Sequence, residues 1–172
     1  MNPRLGDIFH RRSIRRFLRD EISDETIQDL LDAAMSAPSA CCKDPWHFLV
    51  IRRKELLQRI AEGLPNGQML REATVGVAVC GDPVIAHDGQ LSYLLQDCSA
   101  AIENLLLAAS MLGLGACWLG VHPREDRLRH MRATLGIPES ILPIAMIAVG
   151  SAGEAKPARS RTNLARIHHE QW

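Results

Sequence analysis

The alternation of apolar and polar residues along the chain predicts four helices and four short strands. The first helix is predicted behind Ser23, a suitable N-cap, and ends before Pro38. Its apolar residues recur at helical spacing, at Ile27, Leu30, Leu31 and Ala34. The other helices are predicted over residues 55–61, 91–112 and 124–135. Apolar, β-rich runs predict strands at residues 46–51, 75–80, 116–121 and 143–149. Because these elements alternate without a regular βαβ repeat, the pattern favours an α+β fold.

The predicted helix over residues 91–112 is apolar on most of its circumference. A helix of that kind is buried in a large core or in a subunit interface. A chain of 172 residues offers limited core to surround it, and small residues such as Ala100 and Ala101 would permit close helix contact. The sequence therefore favours an interface. The polar, basic and aperiodic tail, residues 151–172, is expected to wrap around something, because it cannot bury itself well.

Composition predicts a single domain, 1–172, in the cytoplasm. The length is typical of one domain, and twenty basic residues balance twenty acidic ones. Because the charges balance, we expect no electrostatic attraction of the whole protein to nucleic acid or to a membrane surface. The five cysteines have no metal-ligand or CxxC spacing, which is typical of free thiols in a reducing compartment. There is no apolar signal segment at the start, and the longest uncharged run, 105–121, is shorter than the ~20 residues of a membrane span.

Several common chemistries have no motif in this sequence. The stretch GLGACW at 113–118 lacks the third glycine of a dinucleotide loop, and its glycines end a helix instead of opening one. Neither a GxxxxGK[ST] phosphate loop nor a GxSxG elbow occurs. The histidines are scattered, and the adjacent pair His168 and His169 is expected to be solvated in the tail. Neither hydrolysis nor metal catalysis is therefore indicated.

Two arginine-rich segments lie at opposite ends of the chain, at residues 11–19 and 159–166. Taken alone, RRSIRR at 11–16 is a solvated basic face or a nucleic-acid patch. Four stretches, in order along the chain, change that interpretation: IFHRRSIRRF at 8–17, AMSAPSACCKDPW at 34–46, DCSAAIENLLLAASMLGLGACW at 97–118, and a closing set formed by LGIP at 135–138, AVG at 148–150 and residues 156–161. Together they resemble the motifs of the nitroreductase family, over nearly the whole chain and in its short, compact branch.

The resemblance implies an α+β, three-layer fold with a central, mainly antiparallel sheet flanked by helices. It also implies a domain-swapped homodimer in which residues 151–172 form a C-terminal arm that crosses to the partner subunit. FMN would lie at the interface. The family's activity is two-electron reduction of nitroaromatics, quinones or flavins by NAD(P)H, in a ping-pong reaction with hydride transfer at flavin N5. No catalytic side chain and no metal are expected, because hydride transfer to N5 needs no acid–base triad.

The resemblance also implies which residues bind FMN. Arg11 and Arg161, with Arg159 as a helper, are candidates for the phosphate, because guanidinium forks suit a near-dianion. Arg15 is expected beside flavin N1 and the C2 carbonyl, where a cation favours the reduced ring. Backbone N–H groups near Leu119 and Gly120 are expected at the N5 side. The remaining candidates from the family's motifs are Arg12, Ser13, Pro38, Ser39, Ala40, Cys42, Asp44 and Gln68.

Three of these positions depart from the family's pattern. Cys42 and Asp44 stand where the family usually has an asparagine and a glutamine, and Gln68 stands where a lysine is frequent. A thiol is a weak hydrogen-bond partner, and an ionised carboxylate can only accept, so flavin affinity and potential depend on these residues. A redox role for Cys41 and Cys42 stays open. So do simpler roles for three candidates: Ser39 as a turn residue, Gly120 as relief of crowding, and Arg159 as a solvated side chain.

Two other functions stay in view. One is an FMN-binding protein with a different redox reaction, such as desaturation or dehalogenation, or with a sensory role, and the altered loop at 42–44 supports it. The other is a non-enzymatic module that binds nucleic acid through the arginines. The neutral net charge and the scarcity of aromatics, with one Tyr and three Phe, argue against that module.

Overall fold

The computed structural model describes residues 2–172, and a four-stranded sheet lies at its centre. The strands are β1 (Trp46–Ile51), β2 (Val75–Gly81), β3 (Leu114–Gly120) and β4 (Leu142–Ser151). They lie in the order β1-β2-β4-β3, and each pair of neighbours is antiparallel. All four predicted strands are present. β3 begins two residues before its predicted start, because its pairing with β4 continues to Leu114 opposite Ser151.

Five α-helices surround the sheet in the described residues. They are α1 (Gly6–His10), α2 (Asp24–Met35), α3 (Lys54–Gly63), α4 (Leu91–Met111) and α5 (Glu125–Leu135). The helix α2 begins as predicted, because the Ser23 Oγ accepts a hydrogen bond from the Thr26 N–H at 3.1 Å. The sequence pattern does not predict α1, since this short helix has no buried residue and therefore no apolar period.

The helices form one layer on each side of the sheet. Along β2, Val75, Val77 and Val79 belong to the apolar cluster that includes α2 and α4. The intervening Ala78 and Cys80 belong to a second cluster, which includes α3 and α5. This alternation follows from the two-residue period of a strand, and it places both faces of the sheet in the core. The predicted α+β, three-layer fold with an antiparallel sheet is confirmed.

The chain itself supplies much of the cover for α4. Eight of its residues are buried, including Leu94, Ile102 and Leu105, and they pack with the sheet and α2 in one cluster. The strands and α2 therefore cover one face of α4, and the expectation that its other face lies in a subunit interface stays a prediction. Apolar side chains remain exposed at the two ends of α4, at Leu91, Tyr93 and Met111.

Two glycines allow the arginine-rich N-terminal segment to lie against the sheet. A Cβ on Gly115 would come within 2.7 Å of the Ile14 side chain, and one on Gly150 within 2.8 Å of the Phe17 ring. The Ile14 N–H donates to the Ala116 carbonyl at 3.0 Å, which ties this segment to the edge strand β3. The close approach that these glycines permit brings the N-terminal motif to one edge of the sheet.

Beyond β4 the chain runs over the surface, with one short 3₁₀ turn at Leu164–Arg166. Its apolar side chains are uncovered in the protomer: Leu164 is 77% exposed, Ile167 is 50% exposed and Trp172 is fully exposed. Among residues 2–172, no helix has both the length and the apolar character that crossing a bilayer requires.

Candidate functional site

The two arginine-rich ends of the chain meet at one cavity of about 450 Å³. Its polar lining comes from Arg11, Arg12, Ser13, Arg15, Lys156, Arg159 and Arg161, among others. Two contacts join the ends: the Arg159 N–H donates to the Phe9 carbonyl at 3.2 Å, and the Arg12 guanidinium donates to the Pro157 carbonyl. This arrangement concentrates guanidinium groups from both ends of the sequence, which suits a phosphate or another strong anion. We call it the arginine cavity.

Glu103 on α4 holds Arg11 at the arginine cavity. The Arg11 Nε lies 2.9 Å from the Glu103 Oε1, and both side chains are partly exposed. Because this contact uses Nε, the two terminal amino groups of the guanidinium remain as donors for a ligand. The sequence prediction named Arg11 and did not name Glu103, which lies inside the apolar motif of the long helix.

Glu154 and Lys156 fasten the segment after β4 to the N-terminal motif. The Arg15 N–H donates to the Glu154 Oε1 at 2.6 Å, and the Lys156 Nζ lies 2.9 Å from the same oxygen. Lys156 also donates to the Ser13 carbonyl at 2.6 Å. The bond from the Arg15 backbone, followed by that from Lys156, holds the pKa of Glu154 below its usual value. Lys156 was missed as a site residue, although it begins the closing motif at 156–161.

A second cavity of about 440 Å³ adjoins the first, since Arg15 lines both. The other residues of this second cavity are Leu64, Asn66, Gly67, Trp118, Leu119, Gly120 and Arg127. A Cβ on Gly120 would meet nothing within 4 Å, so this glycine faces open space. The structure thus brings the predicted Arg15, Leu119 and Gly120 together. It adds Asn66 and Arg127, which lie in none of the sequence motifs, and Trp118, which ends the motif at 97–118 but was not predicted as a site residue.

Residues 38–44 form a loop that lines neither cavity, although it holds five predicted site residues. The five are Pro38, Ser39, Ala40, Cys42 and Asp44. The Ala40 N–H donates to Oδ1 of the buried Asp97 at 2.9 Å, which ties the loop to α4. Within the loop, the Ser39 Oγ accepts from the Asp44 N–H at 3.0 Å and donates to the Asp44 Oδ1 at 2.5 Å. Ser39 and Asp44 therefore have a structural role in this turn.

The same loop has an unusual backbone. Cys41, Cys42 and Asp44 have φ angles of 52°, 52° and 48°, in the left-handed region that side-chain-bearing residues seldom adopt. Such conformations persist only where the surroundings enforce them, and they concentrate at functional sites. The loop is therefore a candidate binding element as well as a turn.

The loop and the arginine cavity attach to different parts of α4. Asp97 holds the loop and Glu103 holds Arg11, and these anchors are six positions apart in the sequence. Six helical residues correspond to roughly 9 Å along the axis and about a third of a turn around it. Within one protomer the predicted site is therefore divided into two parts, with the arginines in one and the loop in the other.

Gln68 also lies outside both linings. Its Nε2 donates to the Ala61 carbonyl at 3.0 Å, and its Oε1 accepts from the Arg71 Nε at 3.0 Å. The neighbouring Asn66 and Gly67 line the second cavity instead. In this structure the polar group that the segment offers to the cavity is Asn66.

The five cysteines divide into two groups, and all are free thiols. Cys80, Cys98 and Cys117 are buried, and burial raises the pKa of Cys80 and of Cys98 to about 12. These thiols are unreactive at neutral pH, because the thiolate is the reactive form. Cys41 and Cys42 are exposed on the loop.

Comparison with known proteins agrees with this architecture. The sequence profile of the nitroreductase family matches residues 8–68 and 61–151. An Archaeoglobus fulgidus protein, provisionally named an NADH dehydrogenase/NAD(P)H nitroreductase, is 46% identical over 100% of both chains. A crystal structure from Parabacteroides distasonis, under the same provisional name, superposes with a TM-score of 0.93 at 37% identity over 100% of both chains.

A further solved structure was determined with a cofactor. It is a provisionally named nitroreductase from Desulfovibrio desulfuricans in complex with FMN, with a TM-score of 0.84 and 30% identity, and the match covers 100% of this chain and 99% of that one. The antiparallel three-layer fold is that of nitroreductase-type proteins. This chain belongs to the nitroreductase family.

Proposed function

We propose that this protein is an FMN-dependent oxidoreductase that transfers two electrons from NAD(P)H to a nitroaromatic, quinone or flavin acceptor in a ping-pong reaction. The observation that carries the proposal is the arginine cavity, where guanidinium groups from both ends of the chain adjoin a second cavity at Arg15. Membership of the nitroreductase family and the FMN complex of the Desulfovibrio relative support it.

The residues present fit FMN. Arg11 and Arg161, with Arg12, Arg159 and Ser13 beside them, would hold the phosphate, because planar guanidinium forks match its geometry and charge. The ring would lie in the second cavity, against Gly120, where the absence of a side chain leaves room for a planar group. When bound, FMN supplies a two-electron carrier that accepts hydride at N5.

Arg15 is placed to act on both parts of such a ligand, because it lines both cavities. A fixed cation beside the N1 and C2 carbonyl edge stabilises the negative charge of the reduced ring and thereby raises its potential. Glu154 accepts from the backbone of Arg15 and leaves its guanidinium available. Leu64 and Leu119 also line the second cavity and would give the ring apolar contacts.

The divided site supports a homodimer as part of the same proposal. The loop at 38–44 lines neither cavity of its own protomer, so in the proposed dimer it would complete the cavity of the partner. The uncovered Leu164 and Ile167 would be buried as residues 151–172 cross to the other subunit. A cytoplasmic location completes the proposal, and the five free thiols support it.

A second function is favoured by one specific observation. Cys42 and Asp44 replace the family's usual polar residues in a loop with left-handed backbone, and that change would alter the potential of a flavin beside them. A different redox reaction, such as desaturation or dehalogenation, or a sensory role would then replace acceptor reduction.

Steady-state kinetics of the FMN-loaded protein distinguish these functions. Initial rates are measured with NADH and NADPH against menadione and a nitroaromatic, with each substrate varied at several concentrations of the other. The proposal expects parallel double-reciprocal lines, since the reduced enzyme forms before the acceptor binds. A flavin-loaded protein without turnover of any acceptor would support the second function.

A further inference from the structure

We propose that Arg127 is an anion-binding residue for the electron acceptor, so that aromatic acceptors with a carboxylate or sulfonate are preferred to neutral ones. The inference rests on the proposed function and specifies its substrate class. Arg127 is the third residue of α5 and lines the second cavity together with Arg15 and Gly120.

The position of Arg127 is set by one hydrogen bond. Its Nη1 donates to the Gly120 carbonyl at 2.7 Å, which holds the guanidinium at the end of β3. Its Nε is buried and has no hydrogen-bond partner within residues 2–172. A guanidinium offers five N–H donors, so a single carbonyl leaves most of its capacity for a ligand.

The charges around Arg127 favour an anion in the cavity. In the part of the chain that the structure describes, no acidic side chain lines this cavity and none forms an ion pair with Arg127. Glu125 and Asp126 precede it in the sequence but lie outside the lining, and Asp126 pairs with Arg124 at 3.5 Å. The cavity therefore contains two cations, Arg15 and Arg127, without an internal counter-ion.

The two cations have different tasks under the proposed function. Arg15 lines both cavities and would contact the flavin, whereas Arg127 lines only the second cavity. The charge of Arg127 is consequently available to a second ligand that enters above the ring. An acceptor anion held there would lie beside Gly120, the residue expected at the N5 side of the flavin, and would bring its aromatic ring within reach of hydride transfer.

The rest of the cavity suits an aromatic acceptor. Leu64 and Leu119 provide buried apolar surface, and Trp118 adds a partly exposed ring against which a planar molecule can stack. Asn66 offers an amide to a nitro or carbonyl oxygen. A planar ring with one anionic substituent is the ligand that uses all three kinds of surface.

The test compares two acceptors that differ by one charge, 4-nitrobenzoate and its neutral methyl ester, with the FMN-loaded protein and NADH as donor. Arg127→Gln should reduce kcat/KM for 4-nitrobenzoate by about tenfold or more, because a charge-assisted hydrogen bond to the anion is lost. For the neutral ester, which has no anion for Arg127 to bind, kcat/KM should change by less than about threefold. Arg124→Gln is the matched control, since Arg124 is a surface arginine nearby on the same chain, outside the cavity, and should leave both acceptors unchanged.

A binding measurement separates this inference from the proposed function. Benzoate is titrated into the oxidised, FMN-loaded protein, and its Kd is read from the flavin absorption spectrum. Arg127→Gln should raise the Kd for benzoate by about tenfold, and this result does not depend on whether NAD(P)H reduces the flavin. A protein that binds benzoate through Arg127 but never turns over would defeat the proposed function and leave the anion site standing.

Three outcomes would overturn the inference. If kcat/KM fell equally for the acid and the ester, Arg127 would only hold the Gly120 backbone in place and would not bind the acceptor's anion. Unchanged benzoate affinity in Arg127→Gln would remove the anion site altogether. If KM rose for NADPH but not for NADH, and both acceptors were unaffected, Arg127 would bind the 2′-phosphate of the nucleotide and not the acceptor. The thermal unfolding midpoint and the FMN content of each variant show whether it has folded and loaded normally.

Discussion

Glu154 accepts a hydrogen bond of 2.6 Å from the backbone N–H of Arg15, and this bond joins the N-terminal motif to the segment that follows β4. Lys156 reinforces the junction through its ion pair with the same carboxylate. Both ends of the candidate phosphate site therefore depend on the charge of Glu154.

The first prediction concerns pH. The pKa of Glu154 is lowered in the folded protein, so its carboxylate stabilises the fold above the ordinary glutamate pKa, and that contribution is lost as pH falls through the lowered value. Glu154→Gln keeps an acceptor for Arg15 but removes the charge. We expect the variant to unfold more easily than the parent at neutral pH, with the difference shrinking on acidification. Urea unfolding between neutral and strongly acidic pH checks this, and a difference independent of pH would contradict it.

The second prediction concerns the arginine cavity. Arg11→Ala and Arg161→Ala should each weaken FMN binding by ~1.5–3 kcal/mol, since each removes a charge-assisted contact to the phosphate. Arg19→Ala is the matched control, because Arg19 belongs to the same N-terminal cluster but lines neither cavity. Quenching of FMN fluorescence on binding gives the affinities. If both cavity variants retain the affinity of the parent, the phosphate lies elsewhere.

The third prediction concerns the C-terminal arm. Light scattering should give twice the protomer mass of 19.1 kDa, because the uncovered apolar residues of the arm need a partner. Replacing both Leu164 and Ile167 with glutamate should produce a monomer with lower FMN affinity. Charged carboxylates are costly to bury in an interface, so these two side chains would stay in water. Far-UV circular dichroism serves as the folding control. A parent protein that is monomeric and fully loaded with flavin at micromolar concentration would rule out the dimer.

The fourth prediction concerns Asp44, which completes the turn with Ser39. Asn tolerates the left-handed backbone of this position, so Asp44→Asn should fold normally. If the loop faces the partner's flavin at N3–H, removal of the negative charge should raise the midpoint potential, because the anion opposes electron addition. Spectroelectrochemistry measures that potential. An unchanged value would leave Asp44 as a turn residue only.

Local sequence patterns predicted the helices and strands because apolar residues recur with the period of each element. The run at 46–51 is the observed β1, and Ser23 caps α2, since both depend on neighbours in the sequence. The contiguous motif RRSIRR led to Arg11 and Arg15, which the structure brings together with Arg161 from the tail. These are the parts of the site that short motifs describe.

Contacts between distant segments account for what the sequence pattern missed. Lys156 contacts Ser13 only because Gly115 and Gly150 let the N-terminal segment lie against the sheet, and no local pattern encodes that approach. Arg127 reaches Gly120 across the turn from β3 to α5, where a surface arginine on an amphipathic helix is the ordinary interpretation. The division of the site between the loop and the arginine cavity is likewise a property of the folded chain.

The central claim, that a bound flavin carries electrons from NAD(P)H to an acceptor, is tested most directly by an anaerobic half-reaction. The FMN-loaded protein is titrated with NADH or NADPH while its visible absorption is recorded, and the acceptor is then added without further nucleotide. We expect one equivalent of nucleotide to bleach the long-wavelength flavin band, and one equivalent of menadione or 4-nitrobenzoate to begin restoring it. A flavin band that neither nucleotide bleaches, in a protein shown to be fully loaded, would contradict the account.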